Sequence, residues 1–146
     1  ANAGQAPDDV APYRFDPPLS PHLAAELAGV EIDPTRLVEH ARSQAARAEV
    51  IVCEGVGGLL VPLTANYLVR DLARDLALPL VVAARPGLGT INHTLLSIQA
   101  LRQAGVPARI EERDTGDELI VTVYIGRPGA GAGVARKSGG QGLGGR

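Results

Sequence analysis

Two glycine-rich stretches carry the residue types with the most chemical reach. The first, Glu54-Gly-Val-Gly-Gly-Leu-Leu-Val-Pro-Leu63, puts a carboxylate at the end of a mostly β-branched run and follows it with small residues that let a ligand approach the backbone. A carboxylate so placed can hold Mg²⁺ beside a phosphate. The plainer alternative is a solvated loop acid whose glycines only turn the chain. The second, Arg85-Pro-Gly-Leu-Gly-Thr-Ile-Asn-His93, sets two glycines and a threonine ahead of an amphipathic segment. Backbone N–H groups at such a helix start can receive a carboxylate or a phosphate, helped by the helix dipole. The alternative there is that Thr90 caps the helix while Asn92 and His93 lie on its polar side. A dinucleotide fingerprint is not met, because Asn92 stands where G-x-G-x-x-G needs its third glycine.

Other constellations carry less. Gly131-Ala-Gly-Val-Ala-Arg-Lys-Ser138 approximates the phosphate-binding pattern G-x-x-x-x-G-K-S/T, but Arg136 replaces the second glycine and the glycine run after Ser138 cannot continue as a helix. His22, His40 and His93 are widely separated and have no cysteine partner, which argues against structural zinc. Cys53 lies in an apolar run and reads as core rather than nucleophile. Ser20, His22 and Asp16 are neighbours in sequence, which is no evidence for triad geometry.

The elements that position these loops follow from hydrophobic periodicity. Five prolines within residues 1–21 predict an extended connector. Ser20-Pro21 and Asp33-Pro34 are cap-and-proline signals for helices over Leu23–Ala28, stopped by Gly29, and from Pro34 to about Ala48. Glu49-Val-Ile-Val-Cys53 and Leu78-Pro-Leu-Val-Val-Ala83 have the composition of strands buried in a parallel sheet, with helical spacing of Leu68, Val69, Leu72 and Leu76 between them. Ile91, Leu95, Ile98 and Leu101 line a further helix that Gly105 ends. The alternation predicts an α/β fold, a mostly parallel sheet with flanking helices. Its core spans 22–105. Residues 106–126 read as an atypical β-hairpin turning at Asp114-Thr-Gly-Asp117. Eight glycines among residues 127–146 predict a disordered tail.

With 146 residues, 45% of them hydrophobic, the chain builds one core and not two domains. No run approaches the roughly 20 apolar residues of a membrane span, and no secretory signal opens the chain. One cysteine excludes an internal disulfide and points to the cytoplasm. The first 126 residues hold 10 of the 14 cations against all 16 acids, a balance of −6, and only four Tyr and Phe, so nucleic acid is a poor partner. Lys137 is the only lysine, and the lack of any methionine suggests cutting from a longer reading frame.

Taken together, Pro12-Tyr-Arg-Phe-Asp-Pro-Pro-Leu-Ser-Pro-His-Leu-Ala-Ala25, Glu54-Gly-Val-Gly-Gly-Leu-Leu-Val-Pro-Leu63 and Gly87-Leu-Gly-Thr-Ile-Asn-His-Thr94 resemble the ATP-dependent dethiobiotin synthetases, with three motifs in family order from about residue 10 to Gly105. Amidoligases of cobalamin synthesis share only the acidic glycine loop. The resemblance implies a P-loop NTPase-like enzyme, usually a homodimer, that forms the ureido ring of dethiobiotin from 7,8-diaminopelargonate, CO₂ and ATP with Mg²⁺. A substrate carbamate attacks the γ-phosphate and the resulting anhydride closes on the neighbouring amine, so the protein mainly positions groups and neutralises charge. By the same resemblance, Glu54 is a Mg²⁺ ligand, with Gly55, Val56 and Gly57 against the nucleotide phosphates or the carbamate. Leu88, Gly89, Thr90, Ile91 and Asn92 bind the carboxylate end of the diamino acid across the dimer interface.

The departures from that pattern matter as well. The family places a P-loop lysine and a second lysine upstream of the Ser-Pro-His segment, whereas no lysine precedes Lys137 here. The expected fold is therefore incomplete, a gene fragment or frameshifted product lacking the P-loop, with little ligase activity by itself. The competing expectations are a non-catalytic α/β anion-binding or interaction module, a related P-loop amidoligase fragment, or a half that a second chain complements.

Overall fold

A computed structural model describes residues 5–84 and 87–106 and, for 120–123, the backbone alone. Its first helix, α1 (Pro7–Val10), is one turn with proline at its start and Asp8 and Asp9 in its first turn, where acids suit the dipole. This turn interrupts a segment expected to be extended. The segment docks on α3 (Pro34–Ala45): His40 Nε2 bonds the Asp9 carbonyl at 2.9 Å, the Asp33 N–H donates to the Tyr13 hydroxyl at 3.0 Å, and the Arg36 guanidinium lies 4.9 Å above the Tyr13 ring.

Helix α2 (Pro21–Ala28) starts after Ser20 and ends at Gly29, whose φ of 64° lets its N–H close on Ala25 and Glu26. Asp33 caps α3 by accepting from the Thr35 N–H at 2.8 Å, and Val38 is buried. The helix stops at Ala45, short of Ala48, which is exposed and adds no apolar contact to the stripe.

The expected first strand, Glu49–Cys53, is not formed. Residues 49–61 contain no helix or strand, Val52 is 86% exposed, and Cys53, expected in the core, is exposed too. A β-branched run becomes a strand only where a neighbour pairs its backbone and covers its faces, and no described strand lies beside this one. Next in the chain comes a small antiparallel hairpin, β1 (Pro62–Thr64) and β2 (Tyr67–Leu68), turning at Ala65-Asn66 and burying Leu63 against α2.

Helix α4 (Val69–Leu76) begins where Asp71 accepts from the Leu68 N–H at 2.9 Å. It packs on α3 and ends at Ala77 in the left-handed region. Strand β3 (Leu80–Ala83) pairs antiparallel with β4 (Ile120–Val123), in register Leu80 with Val123 through Ala83 with Ile120. Both pairings among the described residues are therefore antiparallel, so the α/β class holds while the expected parallel sheet is not seen in them. Helix α5 (Thr90–Gln103) covers one face of β3: Leu80 and Val82 pack on a core of Ile98, Leu101 and Val106, while Val81 on the other face stays exposed. Gly105 (φ 75°) turns the chain out of α5 so that the Val106 N–H reaches the Leu101 carbonyl at 2.9 Å. The hairpin turn at 114–117 and the glycine-rich segment 127–146 lie outside the described residues.

Candidate functional site

The carboxyl end of β3 and the amino end of α5 face one another across the turn at Gly87-Leu88-Gly89, as ligand sites in α/β proteins do. Gly89 is the N-cap, with φ 94° and ψ −10°, and brings no side chain to cap the helix. Thr90 is thus the first helical residue and not the cap. The Thr90 N–H donates to Gly87 O at 3.2 Å and the His93 N–H to Gly89 O at 3.0 Å. The Ile91 and Asn92 N–H groups bond to no described residue. Two donors unpaired among the described residues, at the positive end of a 14-residue helix, have the chemistry to meet an anion.

A cavity of about 480 Å³ opens there. Val82, Ala83 and Ala84 supply an apolar wall from the strand end. Of the five residues expected to bind the substrate carboxylate, Leu88 and Thr90 line the cavity; Gly89, Ile91 and Asn92 do not, and the Ile91 side chain is 75% exposed. Thr94 and Ser97 also line it and escaped the sequence reading. Their signal was present: Thr90, Thr94 and Ser97 stand at i, i+4 and i+7, one face of a helix, and Thr94 is the one buried polar residue among those described. His93 completes the rim.

The acidic glycine loop is fixed by its second half. The Val61 N–H donates to Gly58 O at 3.0 Å, Val69 N–H to Val61 O at 3.0 Å, and Arg70 N–H to Leu59 O at 2.9 Å, while Leu59 packs on the α5 core. Gly57, at φ 69°, takes a conformation that glycine allows, and a β-carbon on it would stand 2.9 Å from Val61 Cγ2. Glu54 is exposed at the open end of this loop, and Glu54, Gly55, Val56 and Gly57 do not line the α5 cavity. The two stretches are tied through Leu59 and the body of α5, without merging into one pocket.

Among the described residues no three His, Cys, Asp or Glu side chains converge. A lone exposed carboxylate does not make a closed zinc or calcium cage. It suits Mg²⁺, which takes one or two carboxylates and completes its shell with water and phosphate oxygens. Glu54 fits that donor chemistry. Although the Cys53 side chain is exposed, partial desolvation by its neighbours pushes the thiol up, the opposite of what activates a nucleophile.

A polar network seats α4 behind the loop. The Tyr67 hydroxyl donates to Asp75 Oδ2 at 2.8 Å, and Arg74 bonds Asp75 at 2.9 Å and Asp71 at 3.1 Å. The Arg74 hydrogen bond, aided by that from Tyr67, holds the Asp75 carboxyl below its usual range against a smaller desolvation. Burial, then the bond to Asp75, pushes the Tyr67 hydroxyl well above its usual value.

Known proteins match this chain over most of its length. An ATP-dependent dethiobiotin synthetase of Anaeromyxobacter dehalogenans is 49% identical over 120 residues, covering 81% of this chain and 54% of the relative. Those of Agrobacterium fabrum and Nitrobacter hamburgensis are each 44% identical, over 75% and 82% of this chain and 51% and 57% of the relatives. The chain thus spans about half the length of these relatives. A family model described as an AAA domain matches residues 1–110, far more than half of the sequence, and the chain belongs to that AAA-domain family.

Proposed function

We propose that this chain carries two working parts of an ATP-dependent dethiobiotin synthetase: the carboxylate that holds Mg²⁺ and the helix mouth that takes the acid end of 7,8-diaminopelargonate. The observation that carries the proposal is the cavity at the α5 amino end, which coincides with the Gly87–Thr94 motif shared with that family. The amino end of α5, with Leu88 and Thr90 in the cavity, receives the substrate carboxylate, and the apolar wall Val82–Ala84 accommodates methylene groups. Glu54 holds Mg²⁺; the bound ion supplies charge neutralisation at the transferring phosphoryl group. With no lysine before Lys137, the described residues offer no P-loop lysine for ATP, and their part in ring closure is to place the diamino acid. The parallel P-loop-type sheet and the homodimer belong to the same proposal, supported by the β3–α5 order and by the exposed Leu88, Ile91 and Leu95 at one end of α5.

Titration of the chain with 7,8-diaminopelargonate tests this. Saturable binding that weakens about tenfold or more in Gly89→Val, where φ 94° excludes a β-branched residue, is expected. Binding that ignores this change would remove the helix mouth from the function. A second reading, a non-catalytic anion-binding module, is favoured by the separation of Glu54 from the α5 cavity; it predicts the same affinity for inorganic phosphate as for the diamino acid.

A further inference from the structure

The acidic glycine loop and the body of α5 are both held by Arg70, the second residue of α4. The first N–H groups of a helix have no partner within it, and here the loop supplies one: Leu59 O accepts from the Arg70 N–H at 2.9 Å. From the same residue the side chain crosses to α5, where Nη1 donates to Ala100 O at 3.5 Å. That carbonyl also accepts the Ala104 N–H at 3.2 Å, which its two lone pairs allow. Ala100 is buried and adjoins Leu101, part of the core on which Leu59 packs. One residue thus grips the loop with its main chain and the helix with its side chain.

Charge pairing does not account for this guanidinium. Its Nε is buried without a hydrogen-bond partner, and none of the described carboxylates pairs with it. Desolvating a cation without a counter-ion is unfavourable, so an uncharged side chain of similar length would hold α4 to α5 at least as well. What such a side chain lacks is a directed bond to the Ala100 carbonyl.

We propose that Arg70 is a positioning residue: it fixes the loop that carries Glu54 at one setting against α5, and so sets the metal-holding carboxylate relative to the substrate cavity. The inference rests on the roles proposed for Glu54 and for that cavity, and goes further by naming the side chain that relates the two. Arg70 does not line the cavity and acts through Leu59 and Ala100.

Cys53, the single cysteine and exposed next to Glu54, takes a nitroxide label whose broadening of the α5 amide signals in NMR reports the loop position in the 146-residue chain. Because this broadening falls steeply with distance, an ångström-scale displacement in Arg70→Met is expected to change it about twofold at amides between Thr90 and Leu101, with an equal or higher melting temperature. Arg70→Lys, which keeps a donor, is expected to restore most of the pattern. A pattern unchanged in Arg70→Met would show that the loop needs no such hold. A pattern lost together with melting temperature, and not recovered by Arg70→Lys, would show a merely structural role. Either overturns the inference and leaves the roles of Glu54 and the cavity standing. If 7,8-diaminopelargonate does not shift the Thr90–Ser97 signals of the unmodified chain, the cavity reading falls and the inference with it.

Discussion

Gly55 and Val69 stand so close that a β-carbon on the glycine would lie 2.8 Å from Val69 Cγ1. Val69 is buried and is the first residue of α4, so this contact seats the acidic glycine loop on the helix behind it. Gly55→Ala forces a shift of backbone or of a buried side chain, and is expected to cost about 1–3 kcal/mol in urea unfolding. Adding Val69→Ala makes room, so the double variant should lose less than the sum of the single losses. Strict additivity would mean that the two residues do not press on each other.

Ala77 ends α4 at φ 53° and ψ 31°, a conformation in which its β-carbon crowds the backbone. Ala77→Gly relieves this, and the gain outweighs the extra freedom of glycine in the unfolded chain. The variant is expected to be more stable by up to about 1 kcal/mol. A lower melting temperature would show that α4 does not end there in the left-handed region.

The network around Asp75 predicts loss of stability at both extremes of pH. Because the folded carboxyl titrates below its unfolded value of about 3.9, its contribution is complete above that pH and disappears as acid protonates the folded form. Tyr67 is shifted upward, so its contribution is complete below its unfolded value of about 10 and declines at higher pH. Stability against pH should therefore fall less steeply in acid for Asp75→Asn and less steeply in alkali for Tyr67→Phe. Curves parallel to that of the unmodified protein would deny both effects.

Because Lys137 is the only lysine, the 146-residue chain supplied with ATP, Mg²⁺, CO₂ and 7,8-diaminopelargonate is expected to release no dethiobiotin above the uncatalysed level while still binding the diamino acid. Product detected by mass spectrometry, and abolished by Glu54→Gln, would show that charge neutralisation in this chain needs no lysine.

Helix placement was legible from local chemistry. Ser20-Pro21, Asp33-Pro34 and the stripe Ile91, Leu95, Ile98, Leu101 each specify a helix through a cap, a fixed proline φ or a repeat, and these act within one or two turns. The three motifs likewise placed the chain among its relatives without reference to coordinates. Strand pairing was not legible: the run Val50-Ile-Val52 has the composition of a strand, but a strand exists only in its partners, and the sequence names none. The same limit hid the β1–β2 hairpin and the antiparallel match of β3 with β4. At the site, sequence alone located the glycine turn and the helix mouth. Only the tertiary fold decided that Thr94 and Ser97 share the cavity with Thr90, that Ile91 faces outward, and that Glu54 stands apart, because each depends on which side of α5 rests on β3.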